Sequence, residues 1–373
     1  MSGQVGRGDQ RRERSSMWYV TEEDLIPAAI GAAILGTGGG GNPYLGRLRA
    51  RAELRAGKKI KIIDPTEIAD DDLLVAAGGM GSPVVAFEKV AGGNEETDAV
   101  RALERHLGRR FTAIAPFEMG GGNSMVPLVV GARLGIPIVD GDGMGRAFPE
   151  LQMITYLIYG GSPFPAALAD ERGNRIVVDR IVDAHWLERI MRSVTIDMGG
   201  HAGLANAVMD GAFCRKAIIP NTLSLAIRMG KAVLAARRLH EDPGEAVVSQ
   251  AGGRRYIRGK VVDVERRATR GFAKGHLVIE GVEDDTGRRV EIDFQNENLV
   301  IREGDEVPVT VPDLITLITS DEGEPITTEL IRYGLRADVL VIPCPDLLKT
   351  PEALEVVGPR AFGYDIDYRP LVA

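Results

Sequence analysis

From Lys59 to Gly143 short apolar runs alternate with segments of helical periodicity, and this order limits the possible folds more than any other feature of the chain. "KIKIID" (Lys59 to Asp64) alternates as a strand does, "LLVAAGG" reads as a short buried strand, and "NEETDAVRALERHLG" spaces its apolar residues as a helix. "FTAIAPFEMGGGNS" follows as strand and glycine turn, "MVPLVVGARLG" as helix and "IPIVDGDG" as strand. Strands that alternate with helices bury both faces of a largely parallel sheet, which predicts an α/β N-terminal domain. Upstream, Thr21 and the acids of "EED" start a helix that runs through "LIPAAIGAAIL" to a glycine run. Pro43, capped by Asn42, opens the next helix, and Gly57 closes it.

From about Pro163 the pattern changes. "AALADERGNRIVVD" resembles a hairpin around Gly173 and Asn174, a long helix "TLSLAIRMGKAVLAARRLHE" follows, and "YIRGKVVDVERR", "GHLVIEGVED", "RRVEIDFQNENLVIREG" and "ADVLVIP" read as strands. The expectation is a β-rich α+β C-terminal domain; composition alone cuts the chain near Pro243. A length of 373 residues suits two domains. Residues 1–16, polar and containing "RGDQRRERSS", read as a disordered tail that is neither signal peptide nor membrane anchor. A net charge of -8 and a pI near 5.4 argue against nucleic acid and acidic membrane surfaces as partners. Cys214 and Cys344 occur without a secretion signal, which predicts no disulfide and a cytoplasmic protein.

Glycine is the compositional anomaly, 46 of 373 residues. Gly36-Thr37-Gly38-Gly39-Gly40-Gly41 formally satisfies the G-x-G-x-x-G dinucleotide fingerprint, with Asp64 about twenty residues on. The fingerprint needs a strand before its first glycine, however, and the preceding residues favour a helix. Gly38, Gly39, Gly40 and Asn42 are therefore candidate ligand contacts rather than a nucleotide site, the bland reading being a turn that lets helices pack closely. A second cluster, "PFEMGGGNSMVPL", lies at a better place, the carboxyl end of a strand. It offers Glu118, Gly121, Gly122, Asn123 and Ser124; "VDGDGMGRAFPE" adds Asp140, Asp142 and Arg146. Converging carboxylates can divide into acid and base or bind a divalent ion through oxygen; equally, they cap turns. His201 in "TIDMGGHAGLANAVMDG" follows Asp197 by four residues, and a His oriented by an Asp moves protons near neutral pH. No tight metal-binding His or Cys pair is present.

"AAILGTGGGGNPYLG", "PFEMGGGNS", "PIVDGDGMGRAFPE" and "IDMGGHAGLANAVM" together resemble the DUF917, or S-methyl thiohydantoin desulfurase-like, family, often encoded beside hydantoinase and oxoprolinase enzymes. The resemblance runs from about Thr21 to the C-terminus and implies an N-terminal domain over 17–190 and a C-terminal domain over 191–373. It implies hydrolysis of a methylthio-hydantoin ring to hydantoin and methanethiol, with a small cyclic substrate. Such chemistry needs a base for water and donors for negative charge growing on ring nitrogen, and no redox cofactor. Glu118 or Asp142 is the candidate base, His201 with Asp197 the proton shuttle, and the glycine loops with Asn123 the ring contacts. The alternatives are a non-catalytic partner subunit of a hydantoinase or oxoprolinase, and the dinucleotide enzyme; a homo-oligomer is the ordinary expectation.

Overall fold

The computed structural model describes residues 17–269 and 272–371, so the expected tail at 1–16 lies outside the described residues. An eight-stranded mixed sheet forms the N-terminal α/β half, with strands β1 (Met17–Val20), β2 (Ile60–Ile63), β3 (Leu73–Gly81), β4 (Ala113–Ile114), β5 (Ile138–Val139), β7 (Ala166–Ala169), β8 (Arg175–Val178) and β9 (His201–Asp210). Its order is β1-β2-β5-β4-β3-β9-β7-β8. The four central strands β2, β5, β4 and β3 are parallel, while β1 and the β9-β7-β8 side join antiparallel. Strand β6 (Gly141–Asp142) pairs separately with β10 (Ile219–Pro220).

Helices form where periodicity and caps place them. In α1 (Glu22–Leu35) the Asp24 carboxylate accepts from both the N–H (3.1 Å) and the hydroxyl (2.9 Å) of Thr21. The expected cap of α2 (Tyr44–Arg55) is also made, Asn42 Oδ1 accepting from Tyr44 N at 2.9 Å. Next come α3 (Pro83–Glu88), α4 (Glu95–Leu107), α5 (Val126–Leu134), α6 (Thr155–Ile158), α7 (Ala184–Asp197), α8 (Gly211–Ala217) and α9 (Thr222–Leu239). The hairpin of β7 and β8 is closed by Asp170, whose carboxylate accepts from the N–H groups of Arg172 and Asn174. Among the described residues no helix is long and apolar enough to cross a membrane.

The C-terminal half is β-rich: β11 (Arg254–Thr269), β12 (Phe272–Gly281), β13 (Arg289–Gln295), β14 (Glu297–Glu303), β15 (Glu306–Thr310), β16 (Leu314–Thr319) and β17 (Arg336–Ile342) build one antiparallel sheet in the order β15-β14-β13-β12-β11-β17-β16. The period of two along a strand distributes its side chains between two cores. Leu314, Ile318, Leu340 and Ile342 join the core of the N-terminal sheet, whereas Ile315, Leu317, Val339 and Val341 fill a second core with Ile257, Leu277 and Phe294. Burying each such side chain is worth roughly 1.5–3 kcal/mol, so the alternation welds the halves together. Two placements depart from the chain order. Strand β9, beyond the boundary expected at 190, sits inside the N-terminal sheet between β3 and β7, and α9 packs on α1 rather than on the β-rich tail.

Candidate active site

Strand β3 ends at Gly79–Gly81 beside the start of β9, and the loop after β4 crosses the same edge, so the carboxyl ends of parallel strands meet here. His201 opens β9 opposite Gly81. A Cβ built on Gly79 would lie 2.7 Å from His201 Nε2, so the bare backbone is what admits the imidazole. Asn123, at the entrance to α5, holds Gly79 from the other side: its Oδ1 accepts from Gly79 N at 2.7 Å, and its Nδ2 donates to Gly79 O at 3.1 Å and to Glu118 Oε1 at 2.8 Å. One carboxamide thus fixes both the strand end and the carboxyl.

Two cavities share Gly40, Gly79, Gly81 and Asn123 in their walls. The outer one, about 430 Å³, carries Asn42, Arg49, Lys89, Glu96 and His201 beside apolar Leu45, Val126 and Leu330. Its cations are already engaged. Arg49 forms a bidentate pair with Glu96 (2.8 and 2.6 Å), and Lys89 Nζ bonds Glu171 (2.6 Å) and donates to the carbonyls of Met198 (2.6 Å) and His201 (2.9 Å). Burial alone would raise Glu96, but Arg49 holds its carboxyl below the usual range. Burial, followed by Lys89, lowers the His201 pKa against the pull of Glu96 and Glu95, which favours a neutral imidazole at physiological pH.

The inner chamber, about 110 Å³, is walled by Glu118, Glu297, Met144, Phe148, Glu188 and Arg192 among others. Glu118 is 6% exposed and Glu297, the first residue of β14, is 2% exposed. Burial raises Glu118 well above the carboxylate range, and the charges of Glu297 and Asp142 add to the rise while Asn123 opposes it. Glu297 is raised to about 8 by burial, opposed by Arg146.

Of the residues expected at the site, Gly40, Asn42, Gly122, Asn123, Glu118 and His201 line one or both cavities. The others do not, for identifiable reasons. Asp142 is fully buried and accepts from the backbone N–H groups of Met119, Met144 (3.3 Å) and Gly145 (2.7 Å); burial raises its pKa to about 7, but both its oxygens are tied to the backbone and it lines neither cavity. Asp140 accepts from Ser224 N and Oγ at the start of α9, acting as its cap. Arg146, also fully buried, donates to Thr37 Oγ1 (2.8 Å), Asp313 O (2.8 Å), Pro312 O (3.2 Å) and Asn298 O (3.3 Å), so it stitches the two halves together instead of gripping a ligand. Ser124 Oγ closes its own turn on Gly121 O at 2.6 Å. Asp197 is exposed at the end of α7 and outside both cavities; the charges that act on His201 are those of Glu96, Lys89, Glu95 and Arg49. Burial pushes Cys214 up to about 12, the behaviour of a core residue.

The first part of the glycine run, through Gly39, is covered by chain. Gly38 O accepts from Thr328 N, Gly40 O from Gly122 N, and a Cβ on Gly121 would lie 2.3 Å from Gly40 O, so the two glycine loops rest backbone on backbone. Helix α1 precedes the loop and Asn298 and Glu297 abut Gly38 and Gly39, which leaves no strand-fed phosphate cradle there. Sequence patterning missed Glu297, Arg49 with Glu96, and Lys89. The one local signal for Glu297 is the polar run "QNEN" between two alternating strands, where Asn296 turns the chain at φ 58°. Among the described residues no group of three or more His, Cys, Asp or Glu is placed to hold a metal ion.

Residues 23–180 match the S-Me-THD-like N-terminal domain family and residues 182–371 the S-Me-THD-like C-terminal domain family. The chain is also similar to a solved structure of a protein from Chromobacterium violaceum, with 25% identity over 95% of this chain and 100% of that one and a TM-score of 0.79. No curated protein matches.

Proposed function

The chain belongs to the S-Me-THD-like family, and from that premise we propose that it is a hydrolase of a hydantoin-like ring, with S-methyl thiohydantoin the first substrate to test. One observation carries the reading: Asn123 ties Gly79 to Glu118, so that a buried carboxyl and the His201 imidazole flank the same strip of bare backbone. That arrangement supplies what hydrolysis at the sulfur-bearing ring carbon requires. A proton acceptor takes a proton from water, a proton donor meets the ring nitrogen as charge grows on it, and methanethiolate departs with a proton. The outer cavity has room for a ring with a substituent, and its apolar wall of Leu45, Val126 and Leu330 faces that substituent. Its carboxylates outnumber its two cations, both of them paired, which disfavours a phosphate-bearing ligand.

The experiment is incubation of the purified protein with S-methyl thiohydantoin, thiohydantoin and hydantoin, following thiol release and ring opening. Turnover of the methylthio ring is expected, and His201→Ala and Glu118→Gln each lower it about 10²–10⁴-fold with the thermal midpoint preserved. Absence of turnover on all three rings removes the hydrolase reading and leaves that of a partner subunit, which co-purification with a hydantoinase or oxoprolinase then examines.

A further inference from the structure

Glu118 and Glu297 reach the inner chamber from opposite halves of the molecule, one from the loop after β4 and the other from the start of β14. In each, Oε2 is buried without a hydrogen-bond partner among the described residues. Leaving such an oxygen unpaired costs about 1–3 kcal/mol, so two of them on one chamber mark a place where a ligand supplies the partners. At about 110 Å³ the chamber has room for roughly three waters or the edge of a small ring.

The two carboxyls have unlike surroundings. Glu297 lies against Gly39 and Gly40, with Arg146 as a neighbouring cation and Glu329 as a further charge. The charges of Glu297 and Asp142 act against ionisation of Glu118, while the Asn123 amide on Oε1 and the backbone N–H of Phe148 favour it; Oε2, without a partner in hydrogen-bond geometry, is the oxygen placed to carry a proton. Of the other charged groups on the chamber wall, Glu188 and Arg192 pair with each other, and Glu150 accepts from Gln152 at 2.5 Å. Two buried carboxyls in one low-dielectric space do not both ionise, and the charge resides where the cation is.

We propose that Glu297 and Glu118 form one acid–base pair, Glu297 as carboxylate and Glu118 as carboxylic acid, whose Oε2 atoms seat the attacking water and the N–C–S edge of the substrate ring. The proposal rests on the hydrolase reading for its substrate and goes beyond it in assigning the roles. Glu297 takes a proton from water as oxygen bonds to the ring carbon; the C=N electrons move to nitrogen, which takes the proton from Glu118. The C–S bond then breaks, methanethiolate leaves with the proton held by Glu297, and the new hydroxyl returns its proton to Glu118 as the carbonyl forms. Water is consumed, methanethiol is released, both carboxyls regain their starting states and no electrons are exchanged.

With Glu297 raised to about 8, kcat/KM rises with pH and levels above that value as the base ionises. The test is the pH profile of methanethiol release for wild type, Glu297→Gln and Glu118→Gln, beside substrate-free difference infrared spectra of the carboxylic acid C=O stretch. Glu297→Gln is expected to lose about 10²–10⁴-fold in kcat/KM together with the rising limb, while its circular dichroism spectrum stays that of the folded wild type. Glu118→Gln removes a carboxylic acid band that wild type keeps above the pH at which Glu297 and Asp142 have ionised. Activity within about threefold of wild type and an intact limb in Glu297→Gln overturn the pair, as does an infrared band indifferent to Glu118→Gln. If the band behaves as stated and wild type releases no methanethiol, the ring assignment falls while the pair stands.

Discussion

Asp142, in the short strand β6, and Glu118, in the loop after β4, are buried carboxyls close enough for the charge of one to raise the pKa of the other. Asp142 has both oxygens held by backbone N–H groups, and with Asp140 and Arg146 it belongs to a block in which the major polar groups serve the chain itself. Glu118 has one amide donor and one oxygen left over, and it belongs with Asn123, Glu297 and His201 to a block built around a space. Burial alone does not distinguish the two. What distinguishes them is the hydrogen-bonding capacity that the fold leaves unused.

The contrast can be broken at several points. Arg146→Ala should cost most, about 3–5 kcal/mol in urea unfolding, because Thr37 and three carbonyls lose a buried cation. A loss below about 1 kcal/mol would mean that the stitch is dispensable. Asp142→Ala should cost about 2–3 kcal/mol by stranding its N–H donors, while turnover per folded molecule stays within about threefold. Glu118→Gln should show the reverse, unimpaired stability with lost turnover, and equal behaviour of the two variants would erase the distinction.

A further effect follows from pH. A carboxyl whose folded pKa is raised above its unfolded value binds a proton more readily when folded, so its contribution is complete below the unfolded pKa and declines as pH rises through the folded one. For Glu297 the window runs from the ordinary carboxylate range to about 8. Wild type should therefore lose unfolding free energy relative to Glu297→Gln across that window, measured by denaturant titration at each pH; a flat difference would place the titration elsewhere. Asp197→Asn should change least, within about 0.5 kcal/mol and with turnover intact, since that side chain is exposed and away from both cavities.

Much of the fold was legible from local chemistry. Alternation marked β2, an apolar run marked β3, Thr21 and Asn42 marked helix starts, and Gly173 with Asn174 marked the hairpin between β7 and β8. The site was legible only in outline. The glycine loops read as ligand cradles because their cover, Glu297, Asn298 and Thr328, arrives from more than 250 positions away. Asp142 and Glu118 looked alike because the N–H groups that hold Asp142 include that of Met119, distant in the chain. Glu297 escaped notice because an acid in an alternating strand ordinarily faces solvent, and the left-handed turn at Asn296 changes the phase.

Strand β9 carries one further consequence. It follows the segment matched as the N-terminal family domain, yet it lies between β3 and β7, and its first residue is His201. Splitting the coding sequence between the two matched segments would yield a first fragment with a slot in its sheet and a second with an unpaired ribbon. Each fragment produced alone would lack part of the eight-stranded sheet, which closes only where the two meet.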